Sequence, residues 1–457
     1  MSAAEPFAAP ARPGDAAGPP PRGADPSREP HEASTLQGRA LFCYGALRAP
    51  LALLELPLFV MLPAFYGREA GLSLALVGLV LFAARALDAI ADPLLGAWID
   101  RTRAQRDYRG WIVLALAPLA FGFVALLHPP EGASSLLLAG WLAGLSTLTY
   151  LAWSTVTIAH QAWGAELGSD EATRVRVTGW REACGLGGVL LSAILLEPSL
   201  ATALSVMFVV MLILAALALH RAPLPRRSPG RARPSSPARP GSKPWSLIAR
   251  DRQFAQLLVI FMFNGVASAI PATLVLFFVA DILGLPGEAG LFLLVYFIAA
   301  ALGMPAWVAL GARLGARRAW LCGMVMAVAA FGWAFGLGAG DVMAFGVICA
   351  VTGFALGADL AMPSALLASV IAGAGGRGEQ EGSYFGMWAL ATKLNLALAA
   401  GLGLPLLGAL GYAPGAPSSL WALSSAYALV PCVFKLIAVA VLWRATRFDC
   451  SKDVISS

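Results

Sequence analysis

The feature that most constrains this chain is a succession of apolar runs, each long enough to cross a hydrocarbon core of about 30 Å, for which a helix needs about 20 residues. From Leu41 onward twelve are found, at approximately 41–66, 73–99, 110–128, 134–164, 178–197, 200–219, 254–283, 287–311, 318–338, 342–371, 383–411 and 420–443. In lipid every backbone N–H and C=O must be satisfied within the protein, so runs of this length are read as helices. The close pair at 178–219 is divided only by the turn signal at Glu197 and Pro198. Composition excludes a soluble globular domain, because 58% of the 457 residues are hydrophobic, only 13% are charged, and the mean hydropathy is +0.73.

The net charge of +6 does not point to nucleic acid, since the basic residues fall between apolar runs rather than along one face with interleaved aromatics. They follow topology instead. Arg101, Arg103, Arg106 and Arg109 follow the second run, Arg174, Arg176 and Arg181 follow the fourth, and Arg313, Arg317 and Arg318 follow the eighth. Loops after odd-numbered runs carry almost no Lys or Arg, so the positive-inside rule places both ends of the chain in the cytoplasm. The expected organisation is a disordered tail (1–38), a six-helix bundle (39–220), a basic linker (221–250), a second six-helix bundle (251–447) and a short tail (448–457). Such a parallel repeat is the architecture of the major facilitator superfamily, in which two halves rock around a site near the bilayer midplane. The fold class is therefore an all-α polytopic membrane protein of twelve transmembrane helices. The six cysteines are scattered without metal-ligand spacing, and no cofactor is expected.

Charge inside the apolar runs marks candidate sites, because a charge at mid-membrane costs at least ~2.5 kcal/mol. Asp88 and Asp92 stand at i and i+4 and share one helix face, with Arg85 one turn earlier. Two carboxylates and a nearby hydroxyl, such as Thr157 or Thr392, are hard ligands for Na⁺, or one carboxylate takes H⁺. The plainer alternative is an Arg85–Asp88 pair. Lys393, alone in an apolar run, needs an acidic partner.

Three stretches carry a family resemblance. Arg85-Ala-Leu-Asp88-Ala-Ile-Ala-Asp92-Pro93-Leu-Leu-Gly96-Ala-Trp-Ile-Asp100-Arg101-Thr102-Arg103 resembles the second helix and following loop of the melibiose-permease-like sugar:cation symporters. Ala162-Trp-Gly164-Ala165-Glu166-Leu167, with Arg174 and Arg181 downstream, is similar to the end of that family's fourth helix, and Gly382-Ser-Tyr384-Phe385-Gly386-Met-Trp388-Ala-Leu-Ala-Thr-Lys393 to its eleventh. The resemblance implies that Asp88 and Asp92 belong to a cation site with Lys393 close by. It spans Tyr44 to Arg447. The aspartates that hold sugar in the family's best-known branch are missing. Arg48 stands near one position and Thr157 near the other.

The expected function is cation-coupled symport, with Na⁺ or H⁺, of a small hydrophilic solute such as a sugar, glycoside or uronate. An uncoupled facilitator or efflux protein for an amphipathic solute is the alternative, and an enzyme is not expected. The candidate cation site is Asp88, Asp92, Thr157 and Lys393. Candidate substrate residues are Arg48, Trp153, Arg181, Asp359 and Trp388. Arg48 suits an anionic solute, or it pairs with Glu55 two turns on; Asp359 binds substrate or pairs with Lys393; Trp153 and Trp388 offer flat faces for a sugar ring. Asp100, Arg101 and Arg103 are read as a cytoplasmic gating network. The expected partners are the solute, the coupling cation and the bilayer, for a monomer in a bacterial inner membrane.

Overall fold

The computed structural model describes residues 38–62, 65–66, 72–103, 105–168, 170–195, 200–224, 251–286, 288–374, 380–409 and 420–445. The expected tails at 1–38 and 448–457 and the linker at 221–250 fall outside them, apart from Gly38 and residues 221–224.

Among the described residues all regular structure is helical, in twelve successive spans. Helix α1 is broken into Gly38–Gly45, Arg48–Leu53 and a π-helical turn at Pro57–Met61. Its prolines remove backbone donors, so a continuous ladder cannot form. The helices α2 (Leu74–Thr102), α3 (Tyr108–Leu127), α4 (Ser135–Leu167), α5 (Glu171–Ile194) and α6 (Ala201–Leu219) follow. After the linker come α7 (Arg252–Phe277, continued by a π turn at Phe278–Ile282), α8 (Ala289–Leu314), α9 (Ala316–Ala334), α10 (Val342–Gly373) and α11 (Glu381–Ala409). The last span, α12, joins Leu420–Ser424, a π turn at Ser425–Leu429, and Val430–Arg444.

Each expected run becomes one span, and the close pair resolves into α5 and α6. The ends differ. α5 begins at Glu171, so Arg174 and Arg176 stand on a helix rather than in the expected loop. A helix does not stop where the hydrocarbon stops, because its charged end turns reach water. Seven spans are long and apolar enough to cross a membrane by length and composition alone. Among the described residues α1, α2, α5, α9 and α11 fall outside that set. Large apolar side chains point outward, among them Phe82, Leu302 and Trp443, as lipid-facing surfaces require.

What positions the candidate site is the contact of α2 with α11. Residue pairs run in opposite directions along the two helices, Asp100 meeting Gly382, Asp92 meeting Gly386 and Asp88 meeting Lys393, so the helices are antiparallel. Glycine makes the approach possible. A Cβ on Gly96 would overlap the Gly382 carbonyl oxygen, and one on Gly386 would stand 2.5 Å from the Asp92 carbonyl oxygen. Small residues at such crossings let backbones touch. α2 also packs on α4, while α5 packs on α1, α8 and α10.

Candidate functional site

Asp88 and Asp92 project from one face of α2 and are 3% and 0% exposed. Lys393 on α11 reaches both, its Nζ lying 2.5 Å from Asp88 Oδ2 and 2.6 Å from Asp92 Oδ2. Ser154 on α4 completes the cluster: its Oγ donates to Asp88 Oδ1 at 2.7 Å and accepts from Lys393 Nζ at 2.9 Å. The ammonium approaches Asp92 outside hydrogen-bond geometry, and Asp92 Oδ1, fully buried, accepts no hydrogen bond. Counted in their ionised forms, two carboxylates and one ammonium leave one formal negative charge, with both aspartates buried and Lys393 partly exposed. A buried charge of this kind needs a counter-charge. The oxygens of Asp88, Asp92 and Ser154 are the hard donors that Na⁺ takes, and a proton on Asp92 neutralises the cluster equally well.

Thr157 lies three residues beyond Ser154, and its buried Oγ1 has no hydrogen-bond partner. Thr392 donates to the Trp388 carbonyl within its own helix. Arg85 does not take Asp88, as the plainer alternative has it. Its guanidinium donates to Tyr150 Oη and to the Leu58 carbonyl, both at 3.3 Å.

At the far end of the same α2 face, Asp100 caps α11. Its carboxylate accepts from Gly382 N and Ser383 N, each at 2.7 Å, and from Ser383 Oγ at 2.6 Å. Capping a helix N-terminus with an acid matches the positive end of its dipole. Asp100 lies just beyond the apolar run 73–99. Burial pushes its carboxyl up to about 6, and the hydrogen bonds from Ser383 and Gly382 and the charge of Arg103 pull the other way. Arg103 pairs with the buried Glu166 of α4 and lies 3.5 Å from Glu381 of α11. It also donates to Tyr108 Oη at 2.9 Å. Arg101, grouped with these residues in the sequence, is exposed and has no ion pair among the described residues. Helical phase accounts for this separation, since residue 101 is turned about 100° from residue 100 and about 200° from residue 103.

The candidate substrate residues do not form one cluster. Arg48 Nη1 pairs with Glu55 at 2.8 Å, and its Nε lies 3.7 Å from Glu182. Arg181 pairs with Glu182 at 2.6 Å and donates to Ser364 of α10 at 3.3 Å. Two arginines thus meet two glutamates, and the cation that Arg48 was expected to offer an anionic solute is matched within the protein. Asp359 pairs not with Lys393 but with Lys435 of α12, at 2.7 Å. Trp320 Nε1 donates to Asp359 at 2.8 Å, and Lys435 also donates to Asn264 at 2.7 Å. This group borders a cavity of about 110 Å³ inside α7–α10 and α12, away from Lys393. Trp388 stacks on Phe261 with ring centroids 3.8 Å apart and is 4% exposed, so its face is taken by packing. Trp153 is half-buried, with an indole N–H that lacks a partner.

Comparison with known proteins follows from this geometry. The profile of the family described as MFS/sugar transport protein matches residues 43–448. The inner membrane symporter YicJ of Escherichia coli (strain K12) is 32% identical over 138 residues, 29% of this chain and 29% of that protein. The putative glycoside/cation symporter YagG of the same organism is 27% identical over 133 residues, 28% of each. These alignments thus span under a third of the curated relatives' length. Among solved structures, a bacterial homologue of the iron transporter ferroportin in its outward-facing state superposes with a TM-score of 0.67 at 16% identity, covering 89% of this chain and 98% of that one. The E. coli fucose:proton symporter FucP gives 0.62 at 15% identity, covering 89% and 97%. At such identities the structures speak to the fold alone.

Proposed function

Since the chain belongs to the MFS/sugar transport protein family, we propose that it is a secondary active transporter coupling a cation, Na⁺ or H⁺, to symport of a small hydrophilic solute by alternating access. The observation that carries this reading is the net negative charge of the Asp88–Asp92–Lys393 cluster, buried where α2, α4 and α11 meet. An uncoupled facilitator has no use for it. A cation entering from water neutralises the cluster and changes the balance of forces between α2 and α11, which is what coupling requires.

The names of the relatives support a sugar or glycoside as the solute class. The pairing of Arg48 and Arg181 with Glu55 and Glu182 favours a neutral polyhydroxyl solute over a uronate, because no cation stands unmatched there. The two six-helix halves rock about this centre, with Asp100 and Arg103 holding the cytoplasmic end closed. The protein works as a monomer in a bacterial inner membrane, with α1 starting and α12 ending on the cytoplasmic side, and uses no cofactor beyond the coupling ion.

The test is uptake into proteoliposomes of a panel of labelled sugars and glycosides under an inward Na⁺ or H⁺ gradient. Concentrative uptake of at least one solute is expected, and its loss in both Asp88→Asn and Asp92→Asn. Full gradient-driven uptake by both variants would sink the coupling proposal.

A further inference from the structure

The outer face of α2 leads to a second kind of site. Leu79, Phe82, Leu87, Ile90, Leu94 and Trp98 are all exposed, at spacings that keep them on one stripe opposite Asp88 and Asp92. The nineteen steps from Leu79 to Trp98 rise about 28 Å at 1.5 Å per residue, close to the ~30 Å of a hydrocarbon core. Trp98 then marks the cytoplasmic interface, where tryptophan concentrates. Arg101 continues the stripe by one turn, which places its guanidinium at headgroup depth.

Arg106 is also exposed, with its guanidinium carbon 5.5 Å from the Trp111 ring centroid. That ring meets Trp98 edge to face, with centroids 4.6 Å apart. Gly110 shapes this arrangement, because a Cβ there would lie 2.6 Å from Arg106 Cγ. Neither guanidinium is engaged by a carboxylate among the described residues. Two arginines and a tryptophan pair at the end of a lipid-facing stripe form a surface whose charge and depth match one occupant.

We infer that Arg101, Arg106 and Trp98 bind the headgroup phosphate of an anionic phospholipid in the cytoplasmic leaflet, its acyl chains lying along Leu94 and Ile90. The guanidinium planes suit phosphate oxygens, and each arginine near an anionic surface contributes roughly a fivefold gain in binding. The inference rests on the membrane orientation given above and not on which solute is carried.

The experiment uses the full chain in detergent, exchanged into nanodiscs of phosphatidylcholine with or without phosphatidylglycerol. Native mass spectrometry counts retained lipid, and thermal unfolding reads stability. Wild type is expected to retain phosphatidylglycerol over phosphatidylcholine and to unfold at higher temperature in its presence. Arg101→Gln with Arg106→Gln should weaken that preference by about 25-fold, from the same fivefold per arginine. The double variant should unfold as wild type does in phosphatidylcholine alone, since both side chains are exposed. Arg318→Gln, another exposed arginine expected on the cytoplasmic side, controls for non-specific charge, and glycerol phosphate in solution distinguishes free phosphate from lipid. An unchanged preference in the double variant would overturn the proposal. So would an equal loss in Arg318→Gln, or equal stabilisation by glycerol phosphate.

Discussion

Asp92→Asn is the substitution whose outcome follows most directly from the site. It is nearly isosteric, and it takes the cluster from one net negative charge to zero by leaving Asp88 paired with Lys393. A cation then finds no unmatched charge. One unit charge at about 4 Å, with an effective dielectric near 20, is worth about 4 kcal/mol, so cation affinity should fall by about three orders of magnitude. Wild-type protein should gain thermal stability as Na⁺ is raised against choline, or as pH is lowered if H⁺ is the ion, because a ligand that binds only the folded state stabilises it by RT ln(1 + [L]/Kd). Asp92→Asn should unfold at a temperature that does not respond to Na⁺, and its response to pH should shrink to the part that Asp100 and the other titrating groups supply. Solute counterflow without an ion gradient should survive within several-fold, while concentrative uptake should vanish. A variant that kept the cation-dependent stabilisation would show that the charge sum does not govern ion binding. Loss of counterflow and of uptake together, in folded protein, would mean that Asp92 serves the solute or the fold rather than the ion.

Further outcomes follow from the packing. Gly96→Leu drives a side chain into the Gly382 backbone; it should force α2 from α11 and raise the reactivity of a cysteine placed at Ser383 toward a membrane-impermeant maleimide at least several-fold. Lys435→Met should lower thermal stability by an amount equivalent to ~3–5 kcal/mol by stranding Asp359, whereas the double change Asp359→Leu with Lys435→Met should restore most of it, which thermal unfolding of the three variants checks. Closing the latch raises the Asp100 carboxyl to about 6, against an ordinary ~3.9 once opening exposes it. The closed state therefore holds its proton more tightly, and opening should become about tenfold more favourable per pH unit between those values. Above about 6 it should level off. The distance between spin labels placed on α2 and α11 away from the latch, measured across pH 4–8, should show this rise, and Asp100→Asn should abolish it.

Residues were legible in the sequence to the extent that their signal is local. Asp88, Asp92 and Lys393 stood out because each is a charge in an apolar run, where its cost marks it without knowledge of the fold. Lys435 carries the same signal inside Val430–Arg444, yet nothing local tells that it, rather than Lys393, is the lysine that reaches Asp359. Choosing between two lysines requires knowing that α10 meets α12, a tertiary fact with no local trace. Ser154 was invisible for a different reason: serine in a membrane helix is commonplace, and only the rotation of α4 tells it from Thr157. Trp388 shows the same limit, since spacing gives a ring its height along a helix but not the Phe261 that covers it. Arg101 could have been separated from Asp100 and Arg103 by helical phase, had α2 been carried to Thr102 instead of stopping at the end of the apolar run.

That extension of α2 is also what joins the proposed cation site to the proposed latch. Asp92 and Asp100 are eight residues apart on one unbroken face, about 12 Å along the axis, and both meet α11, Asp92 by its backbone at Gly386 and Asp100 by its carboxylate at Ser383. Because the two helices touch backbone to backbone between these points, α11 cannot leave Asp100 as a rigid body without also moving Lys393 relative to Asp88 and Asp92. The distances that hold the ammonium at 2.5 and 2.6 Å belong to the latched arrangement. Opening therefore changes the field at the cation site, and a bound cation, which competes with Lys393 for the same oxygens, changes the cost of opening. By linkage the two effects are equal: whatever factor cation binding applies to latch opening, opening applies to cation affinity. Asp100→Asn should accordingly shift the cation concentration that half-saturates the thermal stabilisation, although residue 100 touches no part of the cation cluster. An unchanged half-saturation in that variant, with the latch shown to be loosened by cysteine accessibility, would mean that α2 bends between residues 92 and 100 and that the two sites act separately.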